Sequence, residues 1–555
     1  MSNCEWYKDA VVYQIWPRSF CDGNGDGIGD LYGVYEKLDY IASLGVTAIW
    51  FSPLYPSPNF DYGYDVSDYR AINPEYGDME IFRKVLDGAH ERGMRVIMDL
   101  VVNHTSTEHE WFRLSRDRDD PHRDYYFWRK PRRGLNGARK EPNNWDSLFG
   151  GEAWEYDEQL GEYYLHVFAK QQADLNHDNP AVRREVSDIM RFWLELGVDG
   201  FRQDAIVYIS KAPGLPDELP RRPAANGLKK YVNGPNLHDY LRFYRRSTEG
   251  YDCCIIGEAD NVPLSKALDF LTDGEMDLMF TFDHMRADCV GTDFLRRGFS
   301  VKRFKRALSA WQEALHGRAW NALYLENHDH ARVISRYGSE DYRVESGKAL
   351  AAAYMLLQGT PFIYQGQELG MTNLRLPEVS MYPDVMTQGM ARRASRWLPA
   401  KTVLRLTQDT ARDSARTPMQ WSAEKNAGFT TGEPWFYVNE NYRTVNAAAE
   451  EADPDSLLNF YRELINFRRR DPIVKHGSYT ELLPQSPNFY CYAREYAGRR
   501  LLVIASLVAK ETYFTCPEGF RLTDGELIFK NHDLNVAVNN CFTARPYELR
   551  VYLFE

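Results

Sequence analysis

Cysteine is scarce and unpatterned in this chain. There are eight in 555 residues, at positions 4, 21, 253, 254, 289, 491, 516 and 541, with no C-x-x-C pair. That excludes a disulfide scaffold and fits the reduced thiols of a cytoplasmic protein. Cys253 and Cys254 open an apolar run and read as buried. Positive charge is also short: 67 Lys and Arg against 79 Asp and Glu give a net charge of −12. Nucleic acid and anionic membranes need a basic footprint, so neither is an expected partner, although a local basic cleft stays open. Long apolar runs are missing too. The longest, 349–357, stops at Gln358-Gly359, well short of the ~20 residues of a membrane span. Met1-Ser2-Asn3-Cys4-Glu5 has neither the basic nor the apolar part of a secretory signal. There is no repeat at solenoid periods and no low-complexity tract.

What remains is a globular composition, 44% hydrophobic and 26% charged. At ~150 residues per domain the length suggests nearly four domains, a count that barrels routinely break. Eight β-like runs stand at 11–15, 48–51, 96–102, 200–202, 254–257, 278–282, 322–325 and 361–364. Helical patterns alternate with them at 32–43, 79–92, 181–196, 237–248, 264–271, 301–315, 344–357 and 456–470. The third of these helices starts behind Asn179-Pro180 and stops at Gly197, a capped start and a glycine end. Strand then helix, eight times, is the pattern of an α/β fold of the (β/α)8 TIM-barrel type.

Two stretches interrupt the rhythm. Residues 104–177, with Trp111, Tyr125, Tyr126, Trp128, Trp145 and Trp154, are too long and too aromatic for a simple connection and read as an inserted, loop-rich subdomain. A second excursion, 366–453, separates the eighth strand from its helix. After Asp471-Pro472 the pattern turns to short alternating runs, 489–492, 501–506 and 548–554, as in an antiparallel β-sandwich. The expected domains are thus a barrel of 1–103 and 178–473, an insertion of 104–177, and a C-terminal β-domain of 474–555.

Acids recur at the ends of the barrel strands, where such barrels place their chemistry. Asp99 lies in the third strand, with Asn103 and His104 after it. Asp204 ends the fourth strand, Glu258 the fifth, and His328-Asp329 follow the seventh. Any one of these could cap the next helix; four on one rim ask for a joint explanation. Glycoside hydrolysis supplies it, since one carboxylic acid protonates the leaving oxygen while a carboxylate attacks the anomeric carbon or activates water. The two must differ in proton affinity. Arg202 stands two residues from Asp204, on the same side of the strand, and is expected to hold Asp204 ionised. His104 and His328 are read as lacking both H-x-H and H-E-x-x-H spacing, so a catalytic metal is disfavoured.

The residues carry a family resemblance over nearly the whole chain. Val12-Tyr13-Gln14-Ile15-Trp16-Pro17-Arg18-Ser19-Phe20, Asp99-Leu100-Val101-Val102-Asn103-His104, Gln172-Ala173-Asp174-Leu175-Asn176, Gly200-Phe201-Arg202-Gln203-Asp204, Gly257-Glu258-Ala259, Glu326-Asn327-His328-Asp329 and Arg412-Asp413-Ser414-Ala415-Arg416-Thr417-Pro418-Met419-Gln420-Trp421 occur in the order found in α-amylase-type glycoside hydrolases. They most resemble the α-glucosidase and oligo-1,6-glucosidase branch. The resemblance implies a retaining double displacement. Asp204 matches the nucleophile, Glu258 the acid/base, and Asp329 the third carboxylate that steadies the transition state. His104 and His328 match ligands of glucose hydroxyls. Asp61 and Tyr64 match the wall of that subsite, and Arg412 the arginine that pairs with Asp61 behind the non-reducing end, unless it only bridges a neighbour such as Asp413. Phe168 matches an aromatic flanking the sugar, unless it is core packing. Asp99 supports the site through Arg202.

Asp22-Gly23-Asn24-Gly25-Asp26-Gly27-Ile28-Gly29-Asp30 places oxygens at positions 1, 3, 5 and 9 with glycine at 6, the spacing of a calcium loop, with the Ile28 carbonyl at 7. Gly33 stands where an EF-hand has its bidentate Glu. A glycine-rich turn explains the spacing as well. The resemblance implies a structural calcium, or magnesium, at Asp22, Asn24, Asp26, Ile28 and Asp30, and no catalytic cofactor.

Some positions depart from the family pattern. Ala205 follows the nucleophile position, where valine accompanies α-1,6 preference and alanine or threonine α-1,4. His330, Ala331 and His177 replace a glutamine, a proline and a tryptophan, and these bear on the aglycone side. The charged loop motifs associated with sucrose isomerases are not evident. The expectation is a cytoplasmic, exo-acting α-glucosidase for short maltose- or isomaltose-type oligosaccharides. Transglucosidase, sucrose isomerase and trehalose-6-phosphate hydrolase are the alternatives on the same scaffold. A non-catalytic homologue, like the heavy chains of amino-acid transporters, would need lost acids and an anchor. A monomer is compatible with all of this.

Overall fold

In the computed structural model of the chain, residues 5–134, 137–222, 225–533 and 540–555 are described; Met1–Cys4 and the short remaining stretches of the expected domains lie outside them. Eight short strands form the centre: β1 (Val12–Ile15), β2 (Ala48–Phe51), β3 (Arg95–Val101), β4 (Gly200–Asp204), β5 (Cys254–Glu258), β6 (Leu278–Phe280), β7 (Ala322–Leu323) and β8 (Thr360–Tyr364). They run parallel in the order β6-β5-β4-β3-β2-β1-β8-β7, and the two ends of that order touch to nearly close the ring. Nearly every strand residue is buried, because a parallel barrel is covered by side chains within and helices without. The register sets Arg202 beside Asp99 on β3 and Ile256 on β5, so the acids of three neighbouring strands meet at one rim.

The helices close the outside. Pro180–Glu195 begins at Asn179, whose side chain accepts the Ala181 N–H, with proline in the first turn. The continuous helix expected over 32–43 is two, Leu31–Glu36 and Leu38–Ser43, parted at Lys37. The break sets the Lys37 ammonium over the Trp421 ring. The stretch 264–271 opens as a 3₁₀ turn before its short helix.

The segment after β3 stands on two paired strands, His104–Ser106 and Gln172–Asp174. It adds a small sheet of Trp128–Arg129, Glu162–Leu165 and Trp154–Asp157 around Phe112, Tyr126, Trp128 and Tyr164. The excursion after β8 carries the helices Val385–Ala394 and Ala400–Thr410.

Beyond the last barrel helix, Leu457–Arg470, an antiparallel sheet is formed by β9 (Ser478–Leu482), β10 (Phe489–Tyr496), β11 (Arg499–Ser506), β12 (Glu526–Lys530) and β13 (Leu549–Phe554). Its order is β9-β10-β11-β13-β12. A second pair, Thr512–Thr515 with Cys541–Ala544, covers one face over Phe489, Leu502, Ile504, Phe514 and Phe542, which gives the expected two-layer β-domain. Among the described residues no helix is long and apolar enough to cross a membrane.

Candidate active site

The C-terminal ends of β3, β4 and β5 bring three carboxylates to one guanidinium. Arg202 is almost wholly buried. Its Nη1 lies 2.9 Å from Asp99 and 2.6 Å from Asp204, and its Nη2 lies 3.0 Å from Glu258 Oε1. The other Glu258 oxygen accepts the Ala205 N–H at 2.8 Å. Ala205 holds a left-handed backbone, φ 45°, a costly conformation for a residue with a Cβ that turns the chain sharply after Asp204.

Sequence reasoning expected Arg202 to hold Asp204 ionised. In the structure that one cation is divided among three acids. Burial pushes Asp204 up to about 7, with Arg202 opposing and Asp99 and Asp329 adding to the rise. Burial pushes Glu258 further, to about 8, again against Arg202. Asp329 behaves oppositely. Burial raises it, but the His328 ring, 3.0 Å away and able to donate from Nε2, and the charges of Arg412 and Arg416 hold it well below the ordinary carboxylate range. The three acids are therefore separated in proton affinity, with Glu258 the readiest to stay protonated and Asp329 the most firmly ionised.

A second arginine closes the rear. Arg412 places Nη2 2.6 Å from Asp61, Nη1 2.9 Å from Asp329 and Nε 2.7 Å from Asp384, and lies over the Phe149 ring. The pairing with Asp61 is the expected one; Asp413 instead accepts from the Thr387 hydroxyl and the Asp384 N–H.

Tyr64 and His328 stack at 5.2 Å. The Tyr64 hydroxyl meets His328 Nε2 at 2.7 Å and Asp99 at 3.0 Å, and Trp16 stacks against both His328 and Tyr64. His104 Nε2 lies 2.9 Å from the Tyr64 carbonyl. Burial holds both histidines down to about 4, so they stay neutral above that pH. Phe168 is half-buried, its ring against His104, Phe149 and Tyr208. It is part of the wall of this cluster.

Three residues of the site carried no assigned role in the sequence reading. Arg416 reaches Asp384 at 2.9 Å, Asp329 at 3.1 Å and the His328 carbonyl at 3.1 Å. Asp384 sits between Arg412 and Arg416 and caps the helix Val385–Ala394. Gln172 donates to Asp61 at 3.1 Å. Gln172 and Arg416 lie inside the motifs that carried the resemblance. Asp384 lies in the unpatterned excursion and had no signal.

Two further expectations change. His177 is fully buried behind β3, bonded to the Val102 carbonyl and the Tyr244 hydroxyl, so it belongs to the core and not to the aglycone side. His328-Asp329-His330 has H-x-H spacing, but its rings part: His330 lies against Phe282 and Tyr324, away from Tyr64 and Trp16.

In the 22–30 loop, Asp22 accepts the N–H groups of Asn24, Gly25 and Gly27 and the Thr430 hydroxyl. Asp30 accepts from Gly23, Asn24 and Gly33 and caps the helix Leu31–Glu36. A carboxylate offers about four lone-pair sites, so Asp22 is fully engaged and Asp30 nearly so. Among the described residues no cluster of three or more His, Cys, Asp or Glu is arranged to hold a metal ion. As placed, these donors do not fit a resident ion.

Comparison with known proteins agrees with this geometry. The family "Alpha amylase, catalytic domain" matches residues 14–477. An oligo-1,6-glucosidase of Parageobacillus thermoglucosidasius is 46% identical over 99% of this chain and 98% of its own. A trehalose-6-phosphate hydrolase of Bacillus subtilis is 42% identical over 99% and 98%. Among solved structures, the trehalose-6-phosphate hydrolase of Bacillus licheniformis superposes with a TM-score of 0.91 at 41% identity over 99% of this chain and 100% of that one. The trehalulose synthase of Pseudomonas mesoacidophila MX-45 does so with 0.93 at 41%, covering 99% of each. The barrel, its carboxylate rim and these full-length matches place the chain in the α-amylase family of glycoside hydrolases.

Proposed function

We propose that the protein is a retaining, exo-acting α-glucosidase that removes the non-reducing-end glucose from short oligosaccharides. One observation supports the exo reading. The guanidinium of Arg412 bonds Asp61 and Asp329 at once, a bridge that on this reading closes the pocket behind a single glucose. In the first step Glu258 gives its proton to the glycosidic oxygen as an Asp204 oxygen bonds to the anomeric carbon, and the aglycone departs. In the second, Glu258 takes a proton from water, the water oxygen bonds to the same carbon, and the Asp204 ester breaks, releasing α-glucose. Asp329, held ionised, faces the positive charge that develops on the ring. His104, His328, Tyr64 and Phe168 surround the glucose.

Asp204→Asn or Glu258→Gln tests the assignment, and near wild-type turnover in either overturns it. Chromatography of products from maltose, isomaltose, sucrose, trehalose and trehalose 6-phosphate tests the substrate class. Ala205 leans the reading towards α-1,4 or mixed linkages, whereas the names of the relatives lean to α-1,6. A trehalose-6-phosphate hydrolase is the second reading, favoured by relatives of that name at 41–42% identity.

A calcium or magnesium ion in the 22–30 loop is a separate proposal that rests on the oxygen spacing and the family resemblance and requires Asp22 and Asp30 to exchange partners. Elemental analysis of purified protein tests it, and absence of any divalent ion overturns it. We also place the protein in the cytoplasm as a monomer, on the free thiols of Cys21, Cys491, Cys516 and Cys541 and a site complete within one chain. Fractionation and light scattering test these two readings.

A further inference from the structure

Lys211 is a buried cation outside the acid cluster, its side chain 1% exposed. Its Nζ lies 2.9 Å from the Tyr208 carbonyl, 3.3 Å from Asn103 Oδ1 and 3.7 Å from Asp174 Oδ1, over the face of Phe127. Each oxygen belongs to a different segment, and each segment delivers a wall of the pocket. Asn103 precedes His104 and points its Nδ2 at His104 Nδ1, 3.2 Å away. That nitrogen also donates to Asp174 Oδ1 at 2.6 Å. The second Asp174 oxygen accepts the Val167 N–H at 2.8 Å, one residue before Phe168. Tyr208 sets its ring against Phe168.

The ammonium has donors only. With the Asn103 oxygen held by Lys211, the Asn103 amide must turn its nitrogen to Asp174 and His104. His104 Nδ1 then accepts, which leaves Nε2–H to donate to the Tyr64 carbonyl. The network therefore fixes the His104 tautomer as well as the place of Phe168. Asp174 is pushed up to about 6 by burial against the pull of Lys211, as befits a carboxylate that depends on this partner.

We propose that Lys211 is a positioning residue of the sugar pocket: one ammonium pins the segments carrying His104, Phe168 and Tyr208 at a common point and sets the spacing of the walls that hold glucose. It touches neither substrate nor reacting atoms. The proposal rests on the glucose-pocket reading for its functional consequence, but its structural content can be read without turnover.

The test uses full-length Lys211→Met and the double variant Lys211→Met/Asp174→Asn, which removes the stranded carboxylate. In Lys211→Met, amide hydrogen exchange is expected to quicken in both 102–106 and 166–169. KM for p-nitrophenyl α-glucoside is expected to rise about tenfold or more, with kcat changed several-fold less, as small misplacements of binding groups do. The double variant is expected to recover melting temperature and not KM. Unchanged exchange in either segment overturns the proposal whatever the activity, and so does a double variant with wild-type KM, since Lys211 would then only neutralise Asp174. Wild-type protein without turnover of any α-glucoside defeats the α-glucosidase reading and leaves hydrogen exchange to decide this one.

Discussion

The molecule buries arginines in two places and uses them in opposite ways. At the pocket, Arg202, Arg412 and Arg416 each bond two or more carboxylates. Where the barrel meets the C-terminal domain, Arg468 and Arg494 bond backbone carbonyls instead. Arg468 donates to Met355, Leu357 and Gly359, and Arg494 to Leu356, Gly477 and Ser478.

The electrical outcomes differ accordingly. Burial lowers Arg202, Arg412, Arg468 and Arg494, but at the pocket the acids outweigh it and lift Arg202 and Arg412 well above the ordinary arginine range. At the joint, burial and mutual repulsion pull Arg468 down to about 9, and burial pulls Arg494 to about 10. The joint arginines act as rigid forks that satisfy the last carbonyls of the helix Arg343–Met355 and the turn after it, where a helix also favours positive charge. The pocket arginines ration charge among acids. The first arrangement stabilises a joint; the second sets proton affinities.

Each region should fail in its own way. The largest effect is expected at the pocket. Asp204→Asn should cut kcat by at least ~10⁴-fold, as loss of a nucleophile does, with no loss of melting temperature. Arg412→Ala comes next. It frees Asp61, Asp329 and Asp384 together and should lower kcat/KM about 10²- to 10³-fold through misplaced groups, read on maltose and on p-nitrophenyl α-glucoside alike.

At the joint, Arg468→Met should destabilise the fold by about 2–4 kcal/mol by stranding buried carbonyls, seen in denaturant unfolding, while kcat/KM stays within about twofold of wild type. A joint variant that lost activity at full stability would break the comparison.

The pH dependence sharpens it. With Asp204 as the proposed nucleophile and Glu258 as the proposed acid, turnover needs the first ionised and the second protonated, so kcat/KM should peak between about 7 and about 8, and Glu258→Gln should abolish the alkaline limb. Both carboxyls lie above their unfolded values, so the folded state holds protons that the unfolded state has released. Their contribution to stability is full below the unfolded values and lost as pH rises through about 7 to 8. The smallest expected effect follows. The melting advantage of Asp204→Asn over wild type should grow from about pH 5 to about pH 8, and a constant difference would refute the raised proton affinity of Asp204.

Much of this is legible in the amino-acid sequence. Each barrel strand begins within a residue of its expected start, because buried parallel strands are unbroken apolar runs ended by polar turns. The carboxylates are legible for the same reason, as polar residues at the ends of those runs. The clamp behind the sugar is half legible. Arg412 lies in a recognisable motif, but Asp384 comes from a long excursion whose course no local periodicity fixes. Lys211 looks like any loop lysine until oxygens from two distant segments, Asn103 and Asp174, converge on it beside the local Tyr208 carbonyl. The 22–30 loop is ambiguous in sequence, since the spacing that presents oxygens to an ion also lets carboxylates accept backbone N–H groups. His177 is expected on the wrong side because position in a motif does not say which way a side chain turns.

The bridge between Asp61 and Arg412 joins residues 351 positions apart. During synthesis, therefore, the ribosome has delivered all eight barrel strands before the pocket can be sealed, and a nascent chain that stops short of Arg412 has acids on a rim with no back wall. Loop closure over such a separation is slow and comes late. Affinity for a glucose-shaped inhibitor thus serves as a clock for the last long-range event in folding, and its onset in a series of stalled chains should fall after Arg412 and Arg416 have left the exit tunnel.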